Sequence, residues 1–185
     1  MSKRSAVTQS PSKCANEPDG LLQELQDDGM FPNSRLPLLL YRMAVKLPGQ
    51  DPAKIFEQLF AANGWHGSWR NGIYPYHHYH STAHEVLGVY RGSAKVQLGG
   101  ERGVVHDLGP GDVVIIPAGV AHKNLGSSGD FGVVGSYPQG QNQDMKYGRP
   151  GERATADYNI ERVSLPKADL LYDIDGPLLE QWGAR

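Results

Sequence analysis

The sequence predicts an all-β fold with minor helices, a single barrel or sandwich of short strands. Three observations carry this. There are 23 glycines and 13 prolines among 185 residues, nearly one residue in five where ~12% is usual, and from Gly64 to Gly151 they punctuate the chain at short intervals. Between them lie short apolar segments of strand length, in close succession. No repeat of 20–50 residues is visible, which argues against a duplicated barrel.

Taken in order, residues 1–20 are a polar mix of Ser, Lys, Asn, Pro and Asp and are expected to be a disordered tail. Residues 21–185 then form a single domain, with its barrel core at about 68–137. Leu21–Leu25 reads as a short helical piece and Leu38–Val45 as a strand. A helix is signalled by Asp51 as N-cap, Pro52 at the first helical position, and Ile55, Phe56, Leu59 and Phe60 on one face. Gly64 stands where a left-handed stop belongs. Strands follow at Tyr74–His80, Glu85–Arg91, Ala94–Leu98, Gly103–Leu108, Asp112–Ile116, His122–Leu125 and Gly132–Tyr137. One more is expected at Tyr158–Leu165, before a C-terminal segment ending near Trp182.

Composition narrows the function classes. The net charge is −2 with no long block of one sign, which argues against nucleic acid or an anionic membrane as partner. The single cysteine, Cys14, excludes an internal disulfide framework and a Cys-rich zinc site. It sits in the tail and reads as an incidental thiol. No apolar run approaches the ~18 residues of a membrane span. The basic Met1–Arg4 start lacks a following apolar region, so no secretory signal is read and a cytoplasmic protein is expected.

Four of the seven histidines, His77, His78, His80 and His84, fall within eight residues. On a strand, residues two apart share a face, so His78 and His80 can aim at one point while His77 and Tyr79 face away. Glu85 reaches the same interior if the Ser81-Thr82-Ala83 turn changes the parity. A His-x-His pair alone is a weak signal, since surface hairpins carry such pairs by accident.

The wider spacing is more specific. It runs Gly72-x5-His78-x-His80-x4-Glu85-x6-Gly92, then Gly111-x5-Pro117-x-Gly119-x2-His122. Over residues 72–126 this resembles the paired motifs of the cupin superfamily, with every metal-ligand position filled. One departure is Gly126, where the family often has Asn; Asn124 lies nearby. Val133–Pro138, Gly140-Gln141 and Asp144-Met145, with the tail from Leu165 to Trp182, are similar to a bacterial single-barrel group of the YjlB type. The resemblance implies a double-stranded β-helix jelly-roll barrel and a homodimer. The apolar segment Pro37–Val45 is an edge across which two copies can pair.

The resemblance makes His78, His80, Glu85 and His122 the ligands of one divalent transition metal per chain, Fe, Mn, Ni, Co or Zn. The N3O set without sulfur argues against Ca, Mg or an iron–sulfur cluster. Parity adds Tyr76, as a hydroxyl facing substrate or a barrel-filling aromatic, and Asn124, as a group orienting a bound anion or, more in keeping with its surroundings, a turn-forming side chain. Tyr137 is a further candidate. His77 and His84 are read as outward, and His66 and His106 as structural or solvated. The leading expectation is a small metal-dependent enzyme of oxygenase, oxidase, decarboxylase or isomerase type, acting on a small oxygenated or carboxylated molecule. Its competitors are a non-catalytic ligand-binding or sensing module with a structural metal, and a storage-like protein.

Overall fold

The computed structural model describes residues 20–183, so residues 1–19 of the expected disordered tail, with Cys14, lie outside the described residues, while Gly20, counted to that tail, opens a strand. The elements in chain order are β1 (Gly20–Leu25), β2 (Ser34–Tyr41), α1 (Pro52–Ala62), β3 (Trp65–Asn71), β4 (Glu85–Arg91), β5 (Ala94–Leu98), β6 (Val104–Leu108), β7 (Val113–Ile116), β8 (His122–Ser127), β9 (Gly132–Pro138), α2 (Arg153–Ile160) and α3 (Pro177–Gly183). They form an antiparallel jelly-roll barrel of two sheets, one in the order β1-β2-β7-β4-β9-β3 and one in the order β6-β5-β8. No helix among the described residues is long and apolar enough to cross a membrane.

Strand alternation explains why the large sheet is so apolar. In β2, Leu38 and Leu40 face the barrel interior with Leu87, Val89, Val96 and Val114. Leu39 and Tyr41 face the other way, onto a layer with Phe56, Phe60, Trp65 and Trp182. β7 divides likewise, Val114 and Ile116 inward, Val113 and Ile115 outward. A sheet covered on both faces needs near-continuous apolar strands. The cover comes from α1 and the C-terminal segment. Asp51 caps α1 by accepting from the Lys54 N–H. Asp169, fully buried, accepts from the Tyr41 hydroxyl at 2.8 Å, from the backbone of Leu171 at 2.8 Å and Tyr172 at 3.2 Å, and from that of Leu178 at 3.1 Å. The Trp182 indole donates to the Pro37 carbonyl at 2.9 Å.

Several expectations are corrected. Leu21–Leu25 is a strand, because β2 supplies its whole hydrogen-bonding partner edge. The strand placed at Leu38–Val45 begins at Ser34 and stops at Tyr41, just before Met43 turns to positive φ. β2 lies between β1 and β7, so it is no edge for dimer pairing. β3 went unforeseen. Tyr74–His80 is not a regular strand but a bent segment with isolated bridges at His78 and Tyr79. The strand expected at Tyr158–Leu165 is instead the end of helix α2 and a loop. The β-branched Ile160 and Val163 mislead there, whereas the Arg153–Asp157 pair at helical spacing supports the helix.

His77 and His84 are not outward either. The His77 side chain is 7% exposed, its Nε2 3.3 Å from Glu101, and its ring packs on Phe31. His84 is buried against Trp182, with ring centroids 4.6 Å apart, and its Nδ1 accepts from the Ala118 N–H at 3.0 Å. Burial pushes the His84 imidazole down to about 3 from an ordinary 6.5. The unfolded chain therefore takes up this proton from about pH 6.5 downward while the folded one refuses it until about pH 3. The burial of His84 costs stability over that window, at about 1.4 kcal/mol per pH unit. In chelator, His84→Asn is expected to flatten the acid side of the stability profile by that slope, read by urea unfolding between pH 7 and 4. An unchanged slope would exclude His84 as its source.

Candidate metal centre

The bent segment before β4 and the start of β8 bring the histidines together. His78 and His122 form an antiparallel bridge, exchanging backbone bonds at 3.3 and 2.9 Å, and their ring centroids lie 4.0 Å apart. The His80 carbonyl accepts from the Gly119 N–H, which ties the next turn to the same place. Gly92, Gly111 and Gly119 all have positive φ, the backbone the turns around the site require. Residues 81–84 form the parity-changing turn, and Glu85 opens β4 pointing inward.

The ligand atoms of His78, His80 and His122 lie within 4.8 Å of one another. All three residues and Glu85 are buried, at 2–5% exposure. Each histidine Nδ1 faces a backbone carbonyl: Tyr76 for His78 at 3.3 Å, Val120 for His122 at 3.4 Å and Asp144 for His80. A carbonyl only accepts, so each Nδ1 carries a proton, and in the neutral imidazole each Nε2 keeps its lone pair. Glu85 Oε2 lies 3.2 Å from His122 Nε2 and 3.5 Å from His80 Nε2, yet it has no aligned hydrogen bond. Three lone pairs and an orphaned carboxylate oxygen at one buried point fit a cation.

The electrostatics follow the same grouping. Burial pushes the His78 imidazole down to about 3, aided by neighbouring His122. Burial alone would raise the Glu85 carboxyl, but His80 and His122 outweigh it and hold it well below the usual range. His80 is depressed by burial and raised by Glu85 and Asp144, with a net rise.

A cavity of about 280 Å³ opens beside the cluster, walled by Trp69, Ile73 and Leu87, with Asn71, Gln143, Tyr74 and Met145 toward its mouth. Tyr137 closes its floor. The Trp69 indole donates to the Tyr137 hydroxyl at 2.9 Å, which donates to Glu85 Oε1 at 3.1 Å. Burial and Glu85 raise the Tyr137 phenol, so it remains a donor and leaves Oε2 to the histidines. The indole lies on Gly135, where a Cβ would meet it at 2.2 Å.

The structure places both parity candidates away from the cavity, Asn124 in its turn-forming role. Tyr76 is 43% exposed and stacks on Tyr74 at 5.0 Å, outside the cavity; Tyr74 lines it instead. Bends at 75 and 76 break the two-residue alternation that would have turned Tyr76 inward. Asn124 is occupied by its own turn, accepting from the Gly126 N–H at 2.8 Å and donating to Ser127 at 3.2 Å. Trp69 was missed because a bulge between His66 and Trp69 shifts the phase of an already polar strand.

The family model described as "Cupin domain" matches residues 69–130. The uncharacterized protein YjlB of Bacillus subtilis strain 168 is 45% identical over 157 residues, 84% of this chain and 92% of that protein. Among solved structures, a DUF861 family protein from Thermotoga maritima is 20% identical, covering 50% of this chain and 94% of that one, with a TM-score of 0.31. The dTDP-6-deoxy-D-glucose-3,5-epimerase RmlC of Legionella pneumophila is 17% identical, covering 65% and 72%, with a TM-score of 0.35. The 11S allergen of Cocos nucifera is 20% identical over 52% of this chain, with a TM-score of 0.34; the chain spans only 29% of that longer protein.

Proposed function

The chain belongs to the cupin superfamily, in one family with YjlB of Bacillus subtilis, and from that premise we propose a metal-dependent enzyme acting on a small oxygenated or carboxylated molecule. His78, His80, His122 and Glu85 would hold one divalent transition-metal ion, Fe, Mn, Ni, Co or Zn. The observation that carries this reading is the matched set of three Nδ1–H to carbonyl contacts, which leaves three Nε2 lone pairs beside an orphaned carboxylate oxygen. When bound, such an ion polarises an oxygen donor as a Lewis acid or exchanges an electron with dioxygen.

The chain's own residues define what enters. Trp69, Ile73 and Leu87 give the cavity an apolar wall beside the histidines. Tyr137 holds one Glu85 oxygen and so orients the other. Arg70 is the one cation along this wall among the described residues. Its guanidinium makes four hydrogen bonds to Asp51 and Glu57. A compact molecule presenting an oxygen head to the histidines suits this cavity better than a phosphate ester, which would need an uncommitted cation.

One observation favours a second reading, a ligand-holding protein with a structural metal. The buried Tyr137 hydroxyl is already engaged by Trp69 and Glu85, so it is not poised as a free acid or base. Elemental analysis of untagged protein, purified without added metal or chelator, separates the two. Near-stoichiometric Fe, Mn, Ni or Co is the expected result, followed by oxygen-uptake assays with small keto- and carboxylic acids. Zinc that survives dialysis against chelator supports the second reading, and only a trace of any metal defeats both.

A further inference from the structure

The three histidines are oriented by different kinds of partner. For His78 and His122 the carbonyl belongs to the residue two positions upstream, so ring orientation is built into the local chain. For His80 it is the carbonyl of Asp144, 64 residues away. Asp144 is itself locked to the turn after His80. Its carboxyl accepts from the Ser81 N–H and the Ser81 hydroxyl, both at 2.6 Å. Its own N–H donates to Thr82 Oγ1 at 3.0 Å.

The attachment extends along the segment 141–146, which has no helix or sheet ladder of its own. The Thr82 hydroxyl donates to the Asn142 carbonyl at 2.7 Å, and Gln141 accepts from the His84 N–H at 2.9 Å. Tyr79 and Lys146 exchange backbone bonds at 2.9 and 3.0 Å. From α2, Asn159 donates to the Ser81 hydroxyl at 3.0 Å. Gln143 and Met145 of the same segment line the cavity.

We propose that Asp144 is the positioning residue for His80, and that docking of the strap 141–146 and occupancy of the metal centre strengthen each other. The inference rests on the metal reading of the same cluster. With Asp144 in place, His80 is held as the Nδ1–H tautomer with its Nε2 lone pair on the shared point. Without its carboxyl, the backbone carbonyl that orients the ring loses its anchor on Ser81, and the site loses a preset donor. Linkage is reciprocal: whatever factor docking adds to metal affinity, the metal adds to docking.

The test uses the full chain as Asp144→Ala and Asp144→Asn, with Asp112→Ala as control. Asp112 is a buried turn residue that accepts from Met43 and Gly109, away from the strap. Zn(II) affinity is measured by competition with a chromophoric chelator, the Co(II) absorption spectrum reports geometry, and the metal-free Tm reports folding. Asp144→Ala is expected to weaken Zn(II) binding about 10–100-fold and to alter the Co(II) spectrum, with Asp144→Asn recovering part of the loss. Asp112→Ala should lower the Tm and leave affinity unchanged. Amide exchange over 141–146 should slow when Zn(II) is added to the wild type. Wild-type affinity in Asp144→Ala, or identical strap exchange with and without Zn(II), overturns the coupling while the metal centre stands. A wild type that binds neither ion overturns the metal reading itself, and the coupling with it.

Discussion

His78→Ala combined with His80→Ala is expected to abolish metal binding and to leave a folded barrel. A structural four-ligand ion is bound by about 10–16 kcal/mol in small zinc domains, so removing two of four donors costs roughly 5 kcal/mol or more, about 10⁴-fold in affinity. The barrel is expected to survive because its interior is packed by Leu38, Leu87, Val96, Val114 and their neighbours, none of which is among the proposed ligands. Glu85 would retain Tyr137 and His122 as partners. Elemental analysis after gel filtration, with far-UV circular dichroism on the same sample, checks both halves. A full equivalent of metal in the double variant would show that these histidines are not the ligands.

Replacing Asp169 by Ala is the largest single loss of stability expected from the structure. Two carboxyl oxygens accept four donors there, from Tyr41, Leu171, Tyr172 and Leu178, at a position fully shielded from water. Alanine would strand a hydroxyl and three backbone N–H groups. With buried unsatisfied groups costing ~1–3 kcal/mol each and some relaxation, about 3–5 kcal/mol is expected. Asp169→Asn, which keeps one acceptor oxygen, should lose less. Urea unfolding of both variants decides it; a loss under about 1 kcal/mol for the alanine would mean that the C-terminal segment is held by its apolar contacts alone.

What could be read from the chain divides by distance along it. β4 and β5 lie where the apolar runs placed them, and α1 was announced by Asp51 and Pro52 at its start. His78, His80, Glu85 and His122 were legible because their spacing is itself the motif, and the backbone bridge between His78 and His122 is the fold's expression of it. Side-chain direction was less legible. Alternation failed for Tyr76 because Pro75 interrupts the strand, and for Trp69 because of a bulge. Leu21, Leu22 and Leu25 fit a helical spacing, and only β2 alongside makes them a strand. Asp144 carried no local sign of its role, since its partners are 62–64 residues away.

The bonds that seal β2 have a consequence for the order of assembly. Tyr41 waits for a partner 128 residues later, and the Pro37 carbonyl for one 145 residues later. At ribosomal speeds of ~5–20 residues per second, that interval is roughly six to thirty seconds. During it the Leu39, Tyr41 and Ile115 face stays uncovered by Leu178 and Trp182 of α3. Contacts of such separation also slow refolding from denaturant, so the closing of β2 waits for α3.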